Sequence, residues 1–216
     1  MKEINALIHF IIKRFIRYNK MKENFQIQDV KTGKVYWISR AIAVTGVIMA
    51  YNYDNHTWNI LLERRGPGCP DNIGKLCCPC GYLNWEETRK DAIIRETYEE
   101  TGIELIPDLV YEIETIDDPN RDARQNVVTR YACIVDIDYL LKGLINKTIN
   151  CESKSRGGEG GEVSELLVLT LDEIENMDPN EFAFNHKDVI QEIISKCKNM
   201  HIMGTIYQLT QNNITC

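Results

Sequence analysis

The chain lacks a long apolar run. No stretch of its 216 residues reaches the roughly 18 apolar residues a membrane-spanning helix needs. It also lacks an excess of positive charge. The net charge is -7, which argues against non-specific nucleic-acid binding, because that needs a basic footprint. No internal repeat is visible, which excludes solenoids and propellers. Nothing near the start reads as a cleavable signal: the apolar run from Ala6 to Ile12 is short and leads into Lys13 and Arg14. The expected setting is therefore a reducing cytoplasm with free thiols. The eight cysteines lack paired CxxC spacing: Cys69, Cys77, Cys78 and Cys80 form Cys-x7-Cys-Cys-x-Cys. That pattern fits buried structural thiols better than a zinc site.

What is present is an ordinary globular composition, 44% hydrophobic and 26% charged, enough to bury a core. Residues 1 to 33 read as an N-terminal extension whose first part is basic and amphipathic, with Met21 as a candidate natural start. From Lys34 the pattern turns β-branched and aromatic, predicting strands over Val35–Ser39, Ala41–Tyr51 and Trp58–Leu62. Further strands are expected over Val110–Ile116, Val127–Ile137 and Leu166–Leu171, and a helix over Asn185–Lys198. Residues 66 to 81 and 142 to 164 read as loops, and 204 to 216 as a tail. Strands and helices mixed without strict alternation predict an α/β fold with a mixed sheet.

The segment Gly81 to Ile103 carries the chemistry. Thr88 and Asp91 have the spacing of a capping box, and Gly102 suits a left-handed helix end. A helix from Thr88 to Thr101 places Ile93, Ile94, Thr97, Tyr98 and Thr101 on one side and Ala92, Arg95, Glu96, Glu99 and Glu100 on the other. Like charges at i,i+3 and i,i+4 cost about 0.2–0.5 kcal/mol each. A hard divalent cation relieves that repulsion; a merely solvated acidic face is the plainer alternative.

The spacing Gly81, five residues, Glu87, seven residues, Arg95-Glu96-x-x-Glu99-Glu100-x-Gly102-Ile103 resembles the signature of the Nudix hydrolase family. The resemblance implies a Nudix-type α/β/α sandwich around a mixed sheet, over roughly residues 34 to 203. It implies hydrolysis of a pyrophosphate in a nucleotide-derivative small molecule, with Mg2+ or Mn2+. By the same resemblance Glu96, Glu99 and Glu100 are metal ligands, joined by the backbone carbonyl of Cys80, where the family often has glycine before Gly81. Arg95 resembles the arginine that orients the cluster, paired with Glu87. Glu99 is a candidate base, and so is a glutamate of the 142–164 loop, Glu159 ahead of Glu162. Thr97 departs from the family, which has an aliphatic residue there.

Arg121 and Arg124 lie in a loop resembling that of ADP-ribose pyrophosphatase-type members, although Ala123 stands where these have proline. With Arg64, Arg65 and Gly81 they are candidate substrate contacts, the arginines being otherwise solubilising charge. Tyr82 and Trp85 are open to packing or to stacking on a base. His186 reads as a structural residue at a helix start. The resemblance leaves ADP-ribose or a related nucleotide sugar, housecleaning of nucleoside triphosphates, and a non-catalytic ligand sensor as readings. A homodimer is compatible with the first.

Overall fold

The computed structural model describes residues 24–121, 124–145 and 161–199. The expected amphipathic helix, Glu159 and the C-terminal tail lie outside them. The chain divides into two compact units, Met1–Arg40 and Ala41–Cys216. In the first, β1 (Phe25–Gln28) and β2 (Val35–Ile38) pair as an antiparallel hairpin. So the Val35 strand belongs to this hairpin and not to the main sheet.

The second unit is built on β3 (Ile42–Asn52), shifted by one residue from its sequence signal, and β4 (Thr57–Arg65), which is longer than its own. Their apolar residues alternate between two cores. Val47, Met49, Ile60 and Leu62 face one core; Val44, Ile48, Ala50 and Leu61 face the other. β3 runs parallel to β8 (Val127–Ile134), which pairs antiparallel with β7 (Val110–Ile116). β9 (Val163–Thr170) closes the far edge on β4. Helix α4 (His186–Asn199) covers the first core through Val189, Ile190, Ile193 and Ile194. Helix α1 (Arg89–Thr101) covers the second through Ala92 and Ile93, joined by Leu140 of α2 (Ile137–Ile145). A short α3 (Leu171–Asn176) adds Ile174 to the first. The result is the expected mixed sheet between helical layers.

One feature of the sheet creates the site. β3 and β4 pair only from Ile48↔Leu61 to Asn52↔Thr57. Beyond Ile48 the two strands part. The outer edges of both are taken by β8 and β9. The gap receives two short strands from the segment expected to be loop, β5 (Leu76–Cys77) on β4 and β6 (Cys80–Tyr82) on β3. The Gly46 N–H donates to the Pro79 carbonyl at 3.0 Å, pinning the crossing between them.

Candidate active site

Helix α1 forms where local chemistry dictates. The Thr88 side chain accepts the Asp91 N–H, and the Asp91 carboxylate accepts the Thr88 N–H. At the other end Gly102 takes φ 75°, a left-handed conformation that costs glycine little. The expected two-sided helix is corrected at three residues. Tyr98, assigned to the core side, is 55% exposed, while Glu100 and Ala92, assigned to the polar side, are buried, Glu100 at 7% exposed and Ala92 within the second core. Segment 77–82 packs over the Glu100 side of the helix, where the Cys80 N–H donates to Glu100 Oε2 at 3.0 Å.

Arg95 holds the cluster together. Its Nε and Nη2 grip both oxygens of Glu87 at 3.0 and 2.8 Å. Nη2 also donates to the Tyr82 carbonyl, and Nη1 reaches Glu96 at 2.8 Å and Glu99 at 3.1 Å. One planar fork therefore ties the helix start, β6 and two of the three clustered acids. The Arg95 hydrogen bonds hold Glu87 below the usual carboxylate range. Gly81 sits against Glu96 so closely that an added Cβ would overlap its carboxylate.

The acids differ in environment. Burial raises Glu96, partly offset by Arg95. Burial, then the charges of Glu63 and Glu96, raises Glu100 well above the carboxylate range. Glu99 keeps 48% of its side chain exposed. Among the described residues no group of three or more His, Cys, Asp or Glu side chains is gathered closely enough to hold a metal ion by itself. An open set of carboxylates suits Mg2+, which keeps waters and shares substrate oxygens. The donors are hard oxygens, and a buried oxygen of Glu63 has no hydrogen-bond partner, so the residues present fit such an ion.

These groups line a cavity of about 490 Å3. Of the expected contacts, Gly81, Arg65, Arg121, Arg124 and Tyr82 line it with Arg95, Glu96, Glu99 and Glu100. Glu87 stands behind it, tied to lining residues through Arg95 and through the Asn84 N–H, which it accepts at 2.5 Å. Arg64 does not line it. It alternates to the opposite face of β4 and pairs with Glu165 at 2.8 Å. Trp85 is 90% exposed and also lies outside the lining. Arg121 pairs with Glu192 and Arg124 with Asp71, so both guanidiniums are held by carboxylates of their own.

Several lining residues had no assignment from sequence: Glu63, Arg130 and Phe184. Arg130, 8% exposed, is fixed by Glu114 and Glu192 at 3.0 and 2.7 Å. The Phe184 ring lies 4.9 Å from the Arg65 guanidinium and 5.2 Å from that of Arg124. Phe184 and Asn185 both take positive φ, 53° and 52°, strain of a kind that collects at functional sites. Alternation from Leu61 could have shown Glu63 and Arg65 sharing a face. His186 accepts the Cys78 N–H through Nδ1 at 2.9 Å and is buried. Cys69, Cys77, Cys78 and Cys80 are free thiols.

The NUDIX domain model matches residues 41–193. The chain belongs to the Nudix family. A curated relative from Methanocaldococcus jannaschii, named ADP-ribose pyrophosphatase, is 33% identical over 115 residues, covering 52% of this chain and 59% of the relative. The chain thus aligns with less than two thirds of that relative. The Nudix domain of Shewanella oneidensis NrtR, solved with ADP ribose, is similar in structure with a TM-score of 0.56 at 19% identity, covering 78% of this chain and 92% of that one. A bifunctional NMN adenylyltransferase/ADP ribose pyrophosphatase from Francisella tularensis, solved with AMP and a Mn ion, gives 0.54 at 17% identity, covering 91% of this chain and 49% of that one. At these identities the two structures speak for the fold. No helix among the described residues is long and apolar enough to cross a membrane.

Proposed function

We propose that this chain hydrolyses the pyrophosphate bond of a nucleoside diphosphate linked to another moiety, with ADP-ribose as the leading substrate. The observation that carries the reading is the placing of Glu96, Glu99 and Glu100 in one cavity with Arg65, Arg121 and Arg124. Carboxylates for a cation and guanidiniums for phosphate oxygens are what a pyrophosphate ester needs together. The Methanocaldococcus relative and the ADP ribose bound by the Shewanella domain favour this substrate class.

Glu96, Glu99 and Glu100, with the Cys80 carbonyl and Glu159, would hold Mg2+ or Mn2+. When bound, the ion neutralises pyrophosphate charge and lowers the pKa of a coordinated water. Glu99, the most exposed of the three, is positioned to take the proton of an attacking water, with Glu159 and Glu162 as the alternatives. Arg95 is a positioning residue that keeps Glu96 and Glu99 aimed into the cavity. Arg65, Arg121 and Arg124 bind substrate, exchanging carboxylate partners for phosphate oxygens. The chain's alignment with part of its relative leaves its full activity to be measured.

The test is release of AMP or phosphate from ADP-ribose, NADH, dinucleoside polyphosphates and nucleoside triphosphates, with Mg2+ and with Mn2+, for the wild type and Glu100→Gln. ADP-ribose turnover that collapses in the variant supports the reading. Turnover of triphosphates alone refutes the substrate class, and no turnover by a folded protein refutes the hydrolase.

A further inference from the structure

Glu63 stands outside the signature helix, on β4 rather than α1, directly after the buried apolar run Ile60-Leu61-Leu62. Its side chain is 2% exposed. Oε1 accepts the Cys77 Sγ–H at 3.0 Å. Oε2 is buried and has no hydrogen-bond donor. The nearby acid is Glu100, and the charges of the two carboxyls act on each other. Both line the same cavity, with Glu96 beside them.

A carboxylate in this position is costly. Burying a charged group without a partner costs several kcal/mol or more, and a leucine at position 63 would continue the core facing α1. Arg65, on the same strand, is committed to the Asp71 carbonyl and carboxylate. The Cys77 thiol is a weak donor and occupies only one oxygen. The remaining oxygen is buried and unpartnered in a cavity wall shared with another carboxylate. That arrangement is resolved by a cation between the two acids or by one shared proton.

We infer that Glu63 is a further ligand of the divalent ion, reaching it from β4 while Glu96 and Glu100 reach it from α1. The ion then bridges the two elements where β3 and β4 part. Cys77 holds the carboxylate in orientation through its Oε1, the part a neighbouring donor commonly plays for a ligating group. The inference rests on the hydrolase reading only for the presence of a metal ion, and it adds a ligand from a strand outside the signature helix.

The test is Mn2+ binding to metal-free protein, read from the free-ion electron paramagnetic resonance signal without substrate. Wild type, Glu63→Gln, Glu63→Asp and the surface control Glu112→Gln are compared, each checked for fold by circular dichroism. Glutamine keeps the size of Glu63 and can still donate to Glu100, as a protonated Glu63 would, but is a poor ligand. Aspartate keeps the charge and falls one methylene short.

The expected result is Mn2+ affinity weakened by about tenfold or more in both Glu63 variants, with the control unchanged. Affinity within about twofold of wild type in a folded Glu63→Gln or Glu63→Asp overturns the inference and leaves a shared proton as the role of the pair. Wild type that binds no Mn2+ overturns it as well. The two readings fail separately. Loss of Mn2+ affinity in the variants, with no ADP-ribose turnover by the wild type, sustains the ligand and removes the hydrolase. Unchanged affinity with turnover intact removes only the ligand.

Discussion

His186 makes a sharp prediction about acid. Its imidazole is 4% exposed, and Nδ1 must stay unprotonated to accept the Cys78 N–H. Burial first, then the Arg130 and Arg65 charges, lowers it from 6.5 to about 3. A histidine with a depressed folded pKa binds fewer protons folded than unfolded. Its contribution is therefore present above pH 6.5 and is lost as pH falls toward 3. At pH 4 the loss is about 3 kcal/mol, from some two and a half pH units at about 1.4 kcal/mol each. In His186→Asn the side-chain carbonyl can still accept the Cys78 N–H, and nothing titrates. Urea unfolding of metal-free protein, followed by circular dichroism, should show the variant at or below wild-type stability at pH 7.5. By pH 4 the difference should have moved about 3 kcal/mol in the variant's favour. Glu63 and Glu100, whose raised pKa values act with the opposite sign, are common to both proteins and cancel to first order in the difference. A stability difference flat from pH 7.5 to pH 4 would refute the assignment of a neutral, buried imidazole.

Thr97 is fully buried, and its hydroxyl has no hydrogen-bond partner. Thr97→Val should raise the unfolding free energy by about 1 kcal/mol, since it removes an unsatisfied polar group and keeps the shape; a lower urea midpoint would show that the hydroxyl is in fact satisfied. Gly81→Ala should displace the Glu96 carboxylate and weaken Mn2+ binding by about tenfold with little change in the thermal midpoint. Retained affinity would mean that Glu96 moves aside without leaving the ion.

How much of this was legible in the sequence depended on whether the cause was local. Helix α1 was readable to the residue because its start and stop are written in Thr88, Asp91 and Gly102. Strand β7 was readable because its β-branched residues sit between turn signals. The α2 helix was not, because Ile134-Val135-Asp136-Ile137 continues the apolar texture of β8, and it is the packing of Ile137, Leu140 and Leu144 on the second core that favours a helix there. Strands β5 and β6 are two and three residues long. They exist because β3 and β4 part and leave edges to be satisfied, which no local pattern encodes. A helical wheel likewise orders residues around α1 but cannot say that segment 77–82 will cover Glu100.

The same non-local cause explains why half the site was invisible. Alternation along β4 sends Glu63 and Arg65 toward α1 and Arg64 away. Which face mattered was fixed only by where α1 docked. In sequence Arg64 and Arg65 read equally as phosphate contacts or solubilising charge and Glu63 has no assigned role, yet Glu63 and Arg65 are buried at 2% and 8%. Buried charge is tolerated where something repays its desolvation. In the cavity beside the parting of β3 and β4 the chain gathers Glu63 and Glu100, each a cost to folding that a leucine would remove. Local rules fail together at this one place, and such failures are expected where a site has been built at the expense of the core.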